Sequence, residues 1–86
     1  MARSTRTIRV PRLTEAHLKR LRATAGELGP FITAPLIETE EAAVRTARAA
    51  LADEFEARFQ DARIIGVKKV IWDEPAQVWA VVLDYI

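Results

Sequence analysis

Residues 64–86, IIGVKKVIWDEPAQVWAVVLDYI, place the strongest constraint on how this chain folds. Two runs rich in Val, Ile, Trp and Tyr flank the tetrapeptide EPAQ. That is the pattern of two strands, over about 62–73 and 77–86, joined by a tight turn. Pro75 fits the second position of a type I turn, where its fixed φ is tolerated. Such a turn pairs Glu74 with Gln77 and therefore sets Trp72 opposite Trp79. A five-residue loop would shift the pairing and send the two tryptophans to opposite faces.

In the favoured register one face carries Ile64, Val70, Trp72, Trp79, Val81, Leu83 and Tyr85. The other carries Ile65, Val67, Ile71, Val78, Ala80, Val82 and Ile86, interrupted by Lys69, Asp73 and Asp84. A single layer of helices covers one face only, so an apolar second face predicts a partner. Val67, Ile71, Trp72, Trp79, Val82 and Ile86 are the candidate interface residues. A homodimer through the sheet, or through the edge strand ending at Ile86, would bury them.

The rest of the chain supplies one more strand and two helices. TRTIRV (residues 5–10) alternates polar and β-branched positions, as a half-exposed strand does, and Pro11 ends it or marks an edge. Thr14 is placed to cap a helix in which Leu18, Leu21, Ala25 and Leu28 follow helical spacing. Gly29-Pro30 stops that helix, with Gly26 as a possible earlier stop. GPFITAPLIE holds four large apolar residues and two prolines, which predicts a connector packed on the core. Thr39, followed by Glu40 and Glu41, caps a second helix over roughly 39–60, with Val44, Ala47, Leu51, Phe55 and Phe59 as its apolar stripe. The expected fold is α+β: β-α-α-β-β, a three-stranded, mostly antiparallel sheet with two helices packed on one face. It forms a single domain over residues 5–86, after a flexible basic arm over residues 1–4.

Composition narrows the function more by exclusion than by indication. At 86 residues with 50% hydrophobic and 29% charged content, the chain supports one modest core. It has no cysteine, so it forms no disulfide and no thiolate metal site. No apolar run is long enough to cross a bilayer, and the start MARSTRTIRVPRL lacks the apolar stretch of a secretory signal. A cytoplasmic protein is expected.

The inventory for catalysis is sparse: one histidine, His17, one serine, Ser4, and no asparagine. Nucleophilic chemistry would need Ser4 beside His17 with an acid to orient the ring. The acidic clusters Glu40-Glu41, Asp53-Glu54-Glu56 and Asp73-Glu74 each have an ordinary place at a helix start, on a solvated face or beside a turn. His17 has only Glu15 near it, at a spacing that does not share a helical face, so it reads as a solvated side chain. Three isolated glycines make no phosphate loop. No cofactor, metal or small-molecule substrate is expected, nor an enzyme. Trp72, Trp79 and Tyr85 would make a stacking platform for single-stranded nucleic acid only beside a positive groove. With Asp73, Glu74 and Asp84 close by, they fit a core or an interface better.

The net charge of +1 hides an asymmetry. Residues 1–28 hold seven basic and two acidic side chains, a balance of +5, and residues 29–86 hold six and ten, a balance of −4. TRTIRVP, followed by TEAHLKRLRATAGELG, resembles the opening of ribbon-helix-helix DNA-binding domains: a short basic strand, then a helix ending in Leu-Gly. The resemblance covers residues 5–38. It implies Thr5, Thr7 and Arg9 as base-facing residues, a first-helix core of Leu18, Leu21, Ala25 and Leu28, and a second helix starting near Leu36-Ile37. On that reading Arg3, Arg6, Arg9, Arg12, Arg20 and Arg22 would contact nucleic acid. PRLT, Pro30, Pro35 and the long second helix depart from the family pattern, and the hairpin at 62–86 lies outside it. The sequence therefore favours a small non-enzymatic regulatory protein, a homodimer that binds a protein partner through an apolar sheet face or a helical surface. A DNA-binding regulator is the alternative.

Overall fold

The computed structural model describes residues 3–86. Its elements run β1 (Ser4–Pro11), α1 (Glu15–Thr24), a 3₁₀ helix η1 (Gly26–Phe31), α2 (Glu40–Arg58), β2 (Ile64–Asp73) and β3 (Val78–Tyr85). The α+β class and the β-α-α-β-β order are those expected. The strands form one antiparallel sheet in the order β1-β3-β2. The strand ending near Ile86 is thus the central strand and not an edge, because β1 returns to pair along its other side. Ser4 already pairs with Tyr85, so the expected arm is strand from that residue on. Met1 and Ala2 of that arm lie outside the described residues.

The hairpin closes as its turn chemistry dictates. Asp73 pairs with Val78, the Gln77 N–H donates to the Glu74 carbonyl at 3.3 Å, and Trp72 stands opposite Trp79. Gln77 takes the left-handed region, at φ 55°, and its side chain ties back to the Glu74 carbonyl at 2.8 Å. The Asp73 carboxylate accepts from the Ala76 N–H and steadies the same turn.

Further along β2 the register shifts twice, between Ile64 and Gly66 and between Val67 and Lys69. Two bulges restore the alternation at Ile64, which pairs with Tyr85, but invert it in between. Val67 therefore sits opposite Leu83, on the helix-side face, and not opposite Asp84 on the open face as a regular strand would place it. Sequence alternation cannot foresee an extra residue, and here there are two.

The core lies between α2 and the sheet. Ala43, Ala47, Leu51 and Phe55, each four residues apart, face Val10, Trp79, Val81 and Leu83. The alanines let α2 approach the strands closely, and Leu51, fully buried, contributes about 2 kcal/mol by its transfer from water. Phe55 meets Tyr85 with ring centroids 5.0 Å apart. The buried stripe is rotated from the expected one: Val44 is half-buried, and Phe59 is the exposed C-cap. Thr39 caps α2 as predicted, its Oγ1 accepting from the Ala42 N–H at 3.1 Å.

α1 is shorter than its leucine spacing suggested, and it packs chiefly against η1, leaving α2 as the helix laid along the sheet. Gly26, at φ 62°, turns the chain out of the α-helix, and Pro30 sits in the 3₁₀ segment that follows. Gly29 lies so close to α1 that a Cβ there would stand 2.2 Å from the Arg22 carbonyl oxygen. The connector after η1 is pinned at Ile37, which exchanges main-chain hydrogen bonds with Leu13 at 2.8 and 2.9 Å.

The molecule is drawn out. Its extents are 49 × 29 × 17 Å and its radius of gyration is 15.1 Å, against about 12 Å for a compact chain of this length. It exposes 6257 Å², whereas a folded monomer of this mass exposes about 5,100 Å². The excess of about 1,100 Å² is larger than the roughly 800 Å² that one partner contributes to a standard protein interface.

Candidate interaction surface

The residues expected at an interface do not gather on one surface. Trp79 is in the core, Trp72 is partly exposed beside it, and Val67 is at the bulged edge of the same face. Ile71 and Val82 belong to the opposite, open face. Ile86 is paired with Arg63 through both main-chain hydrogen bonds, at 2.8 and 3.1 Å.

The open face is not a uniform apolar sheet. By register β1 contributes Thr5, Thr7, Arg9 and Pro11 to it, alongside Val78, Ala80, Val82 and Asp84 from β3. Val82 is buried, flanked by Thr7 on one side and Lys69 on the other. Arg9 reaches across β3 toward Asp73, at 3.4 Å. The second apolar layer read from the hairpin is thus flanked by a largely polar row from β1, and Ile71 on it stays 48% exposed.

Exposed large apolar residues fall in two groups: Ile65, Val67, Ile71 and Trp72 on β2, with Phe59 at the end of α2, and a more exposed group around α1 and η1. Leu21 is 52% exposed, Leu28 69% and Phe31 79%, with Leu36 following in the connector. Leu28 and Phe31 are the two most exposed large apolar residues among those described. Of the four residues expected to form the first-helix core, only Leu18 is buried. Two causes act: Gly26 ends the α-helix, so Leu28 leaves the stripe that Leu18 and Leu21 begin, and α1 packs on η1 and not on the sheet, which leaves Leu21 open. Gly26 was the available signal, since it alone of Gly26, Gly29 and Pro30 precedes Leu28.

His17 has a structural task. Its Nδ1 accepts from the Thr14 N–H at 3.3 Å, while Thr14 Oγ1 accepts from the His17 N–H at 3.3 Å, which completes a capping box at the start of α1. It is half-buried and so not simply solvated. Ser4 lies at the far end of β1, about 20 Å of extended chain away. A groove between α2 and β2 is lined by Ala52, Phe55, Glu56, Gln60, Ala62, Arg63 and Ile64, a set with a carboxylate and a guanidinium but no hydroxyl, thiol, amine or imidazole. Among the described residues no three His, Cys, Asp or Glu side chains gather as metal ligands, and no helix is long and apolar enough to cross a membrane.

The arginines are divided among separate roles. Arg6 forms an ion pair with Glu54 of α2, and the Arg22 Nε donates to the Ile32 carbonyl at 3.0 Å, tying α1 to the connector. Arg12 donates to the Gln77 side chain at 3.3 Å. Arg3 and Arg20 are exposed. Thr5, Thr7 and Arg9 do share one exposed face, turned away from α2. No protein-family model matches the chain, and neither a curated protein nor a solved structure is significantly similar to it.

Proposed function

We propose that this chain is a small, non-enzymatic regulatory protein of the cytoplasm that self-associates and engages an apolar surface of another protein through its α1–η1 unit. The observation that carries this reading is the exposure of Leu28 and Phe31 on a unit held by Gly29 and Arg22 but set apart from the sheet. Large apolar side chains so exposed and so close in sequence fit the buried centre of an interface. The drawn-out shape and the excess surface agree with a chain that reaches its final burial in company.

The test is affinity capture from the native cell, with wild type beside a Leu28→Ser/Phe31→Ser variant, each with and without nuclease. The reading predicts a protein that wild type retains despite nuclease and the variant loses. Capture that nuclease abolishes, or that the variant matches, contradicts it.

A DNA-binding regulator is the second reading, and the exposed row Thr5, Thr7 and Arg9 is what favours it. It ranks below the first because Arg6, Arg22 and Arg9 already have partners within the chain, at Glu54, Ile32 and Asp73. On this reading duplex binding would weaken steeply with salt and fall when Arg3, Arg12 and Arg20 become Ala.

A further inference from the structure

The two edges of the sheet are treated differently. The outer side of β2 is interrupted by two bulges and carries Lys68 and Lys69, devices that discourage another strand from pairing there. β1 has no bulge and pairs in unbroken register with β3 from Ser4 to Pro11.

Main-chain direction on β1 follows from its hydrogen bonds. The Arg12 N–H donates inward to the Gln77 carbonyl at 3.0 Å, while Leu13 bonds outward to Ile37. Backbone groups alternate sides along an antiparallel strand. Ser4, Arg6, Ile8 and Val10 therefore point theirs toward β3, and Thr5, Thr7 and Arg9 point theirs away. Pro11 shares the outward parity and has no N–H to offer, and beyond it Leu13 is already engaged. Among the described residues nothing pairs with the outer edge at Thr5, Thr7 and Arg9.

We infer that this edge is closed by β1 of a second copy, antiparallel, with Thr7 on the two-fold axis. This rests on the reading of a self-associating protein and names its surface. In that register Thr7 faces Thr7, and Thr5 faces Arg9 of the second copy, so all three outward residues exchange both N–H and C=O. On the helix side Arg6 faces Ile8, and no like charges stand opposed. Sliding the pairing to put Arg9 on the axis sets two guanidinium groups against each other. Sliding it the other way carries Arg9 past Ser4, where the second copy's β1 begins. The outcome is one continuous six-stranded sheet with both copies of α2 on the same face and the bulged β2 strands at its ends.

The chain has no cysteine, so single-thiol variants report the axis cleanly. A hydrogen-bonded antiparallel pair holds its Cα atoms about 5.5 Å apart, within the span of a disulfide. Under mild oxidation Thr7→Cys forms a covalent dimer at least tenfold faster than Thr33→Cys, an exposed control in the connector. Thr5→Cys crosslinks readily only when mixed with Arg9→Cys. A second variant, Thr7→Pro, removes an outward N–H and leaves the β1–β3 ladder whole; it sediments as a monomer with unchanged circular dichroism, where wild type is a dimer. Thr7→Cys crosslinking no faster than the control, or a dimer that survives Thr7→Pro, overturns the edge assignment while leaving self-association standing. A wild-type monomer at tens of micromolar overturns both.

Discussion

Trp72 stands directly opposite Trp79, with ring centroids 4.6 Å apart, yet the two are not equivalent: Trp79 is 8% exposed and Trp72 37%. Trp79 is on the central strand, between Val10 and Trp72 and beneath α2, while Trp72 is on an edge strand beside the turn. Truncating each to Ala separates the core from its rim. Trp79→Ala loses about 3–5 kcal/mol in chemical denaturation followed by circular dichroism. Trp72→Ala loses much less, with about 0.5–1.5 kcal/mol coming from the lost ring pair.

The close seat of α2 on the sheet gives a second prediction. Ala43 and Ala47 are fully buried, and Ala50 is exposed. Ala47→Leu forces the helix off the strands and destabilises by about 1–3 kcal/mol. Ala50→Leu changes stability by less than about 0.5 kcal/mol. Equal effects at the two positions, read from denaturant midpoints, would show that the helix face is wrongly assigned.

Gly29 and Gly66 make a third contrast. An added methyl at Gly29 collides with the Arg22 main chain, whereas at Gly66 it meets nothing within 4 Å. Gly29→Ala should lower the thermal midpoint and loosen the α1–η1 unit, so it also weakens capture of the protein partner. Gly66→Ala should be neutral or stabilise by about 0.5 kcal/mol, because it removes freedom from the unfolded chain.

The Arg6–Glu54 ion pair joins β1 to α2, with side chains 40% and 26% exposed. Solvent screens a pair this open, so a double-mutant cycle with Arg6→Ala and Glu54→Ala should give about 0.2–1 kcal/mol of coupling. That coupling should shrink as salt is raised. Coupling above about 2 kcal/mol, or one indifferent to salt, would not fit an open pair.

Much of the fold was legible because local chemistry and global packing agree. Pro75 and the runs around it specified the turn and the Trp72–Trp79 register, and Thr39 with its two following glutamates specified the start of α2. Reading failed where the chain departs from a single period. Two bulges in β2 move Val67 across the sheet, and no residue pattern announces them. Gly26 breaks α1 early, which takes Leu28 off the helical stripe of Leu18 and Leu21. The largest gap was non-local: that β1 returns beside β3 depends on contacts between residues some seventy positions apart, such as Ile8 with Val81. Strand order therefore hid both the row that β1 adds to the second face and the open edge at Thr5, Thr7 and Arg9.

If the β1 edge takes a second copy and the α1–η1 unit another protein, the two surfaces are separable. Sedimentation velocity of wild type and of the Leu28→Ser/Phe31→Ser variant, both at tens of micromolar, tests this separation most directly. Both should sediment as dimers, since α1 and η1 make no contact with β1. A monomeric wild type, or a dimer that the double substitution disperses, would contradict it.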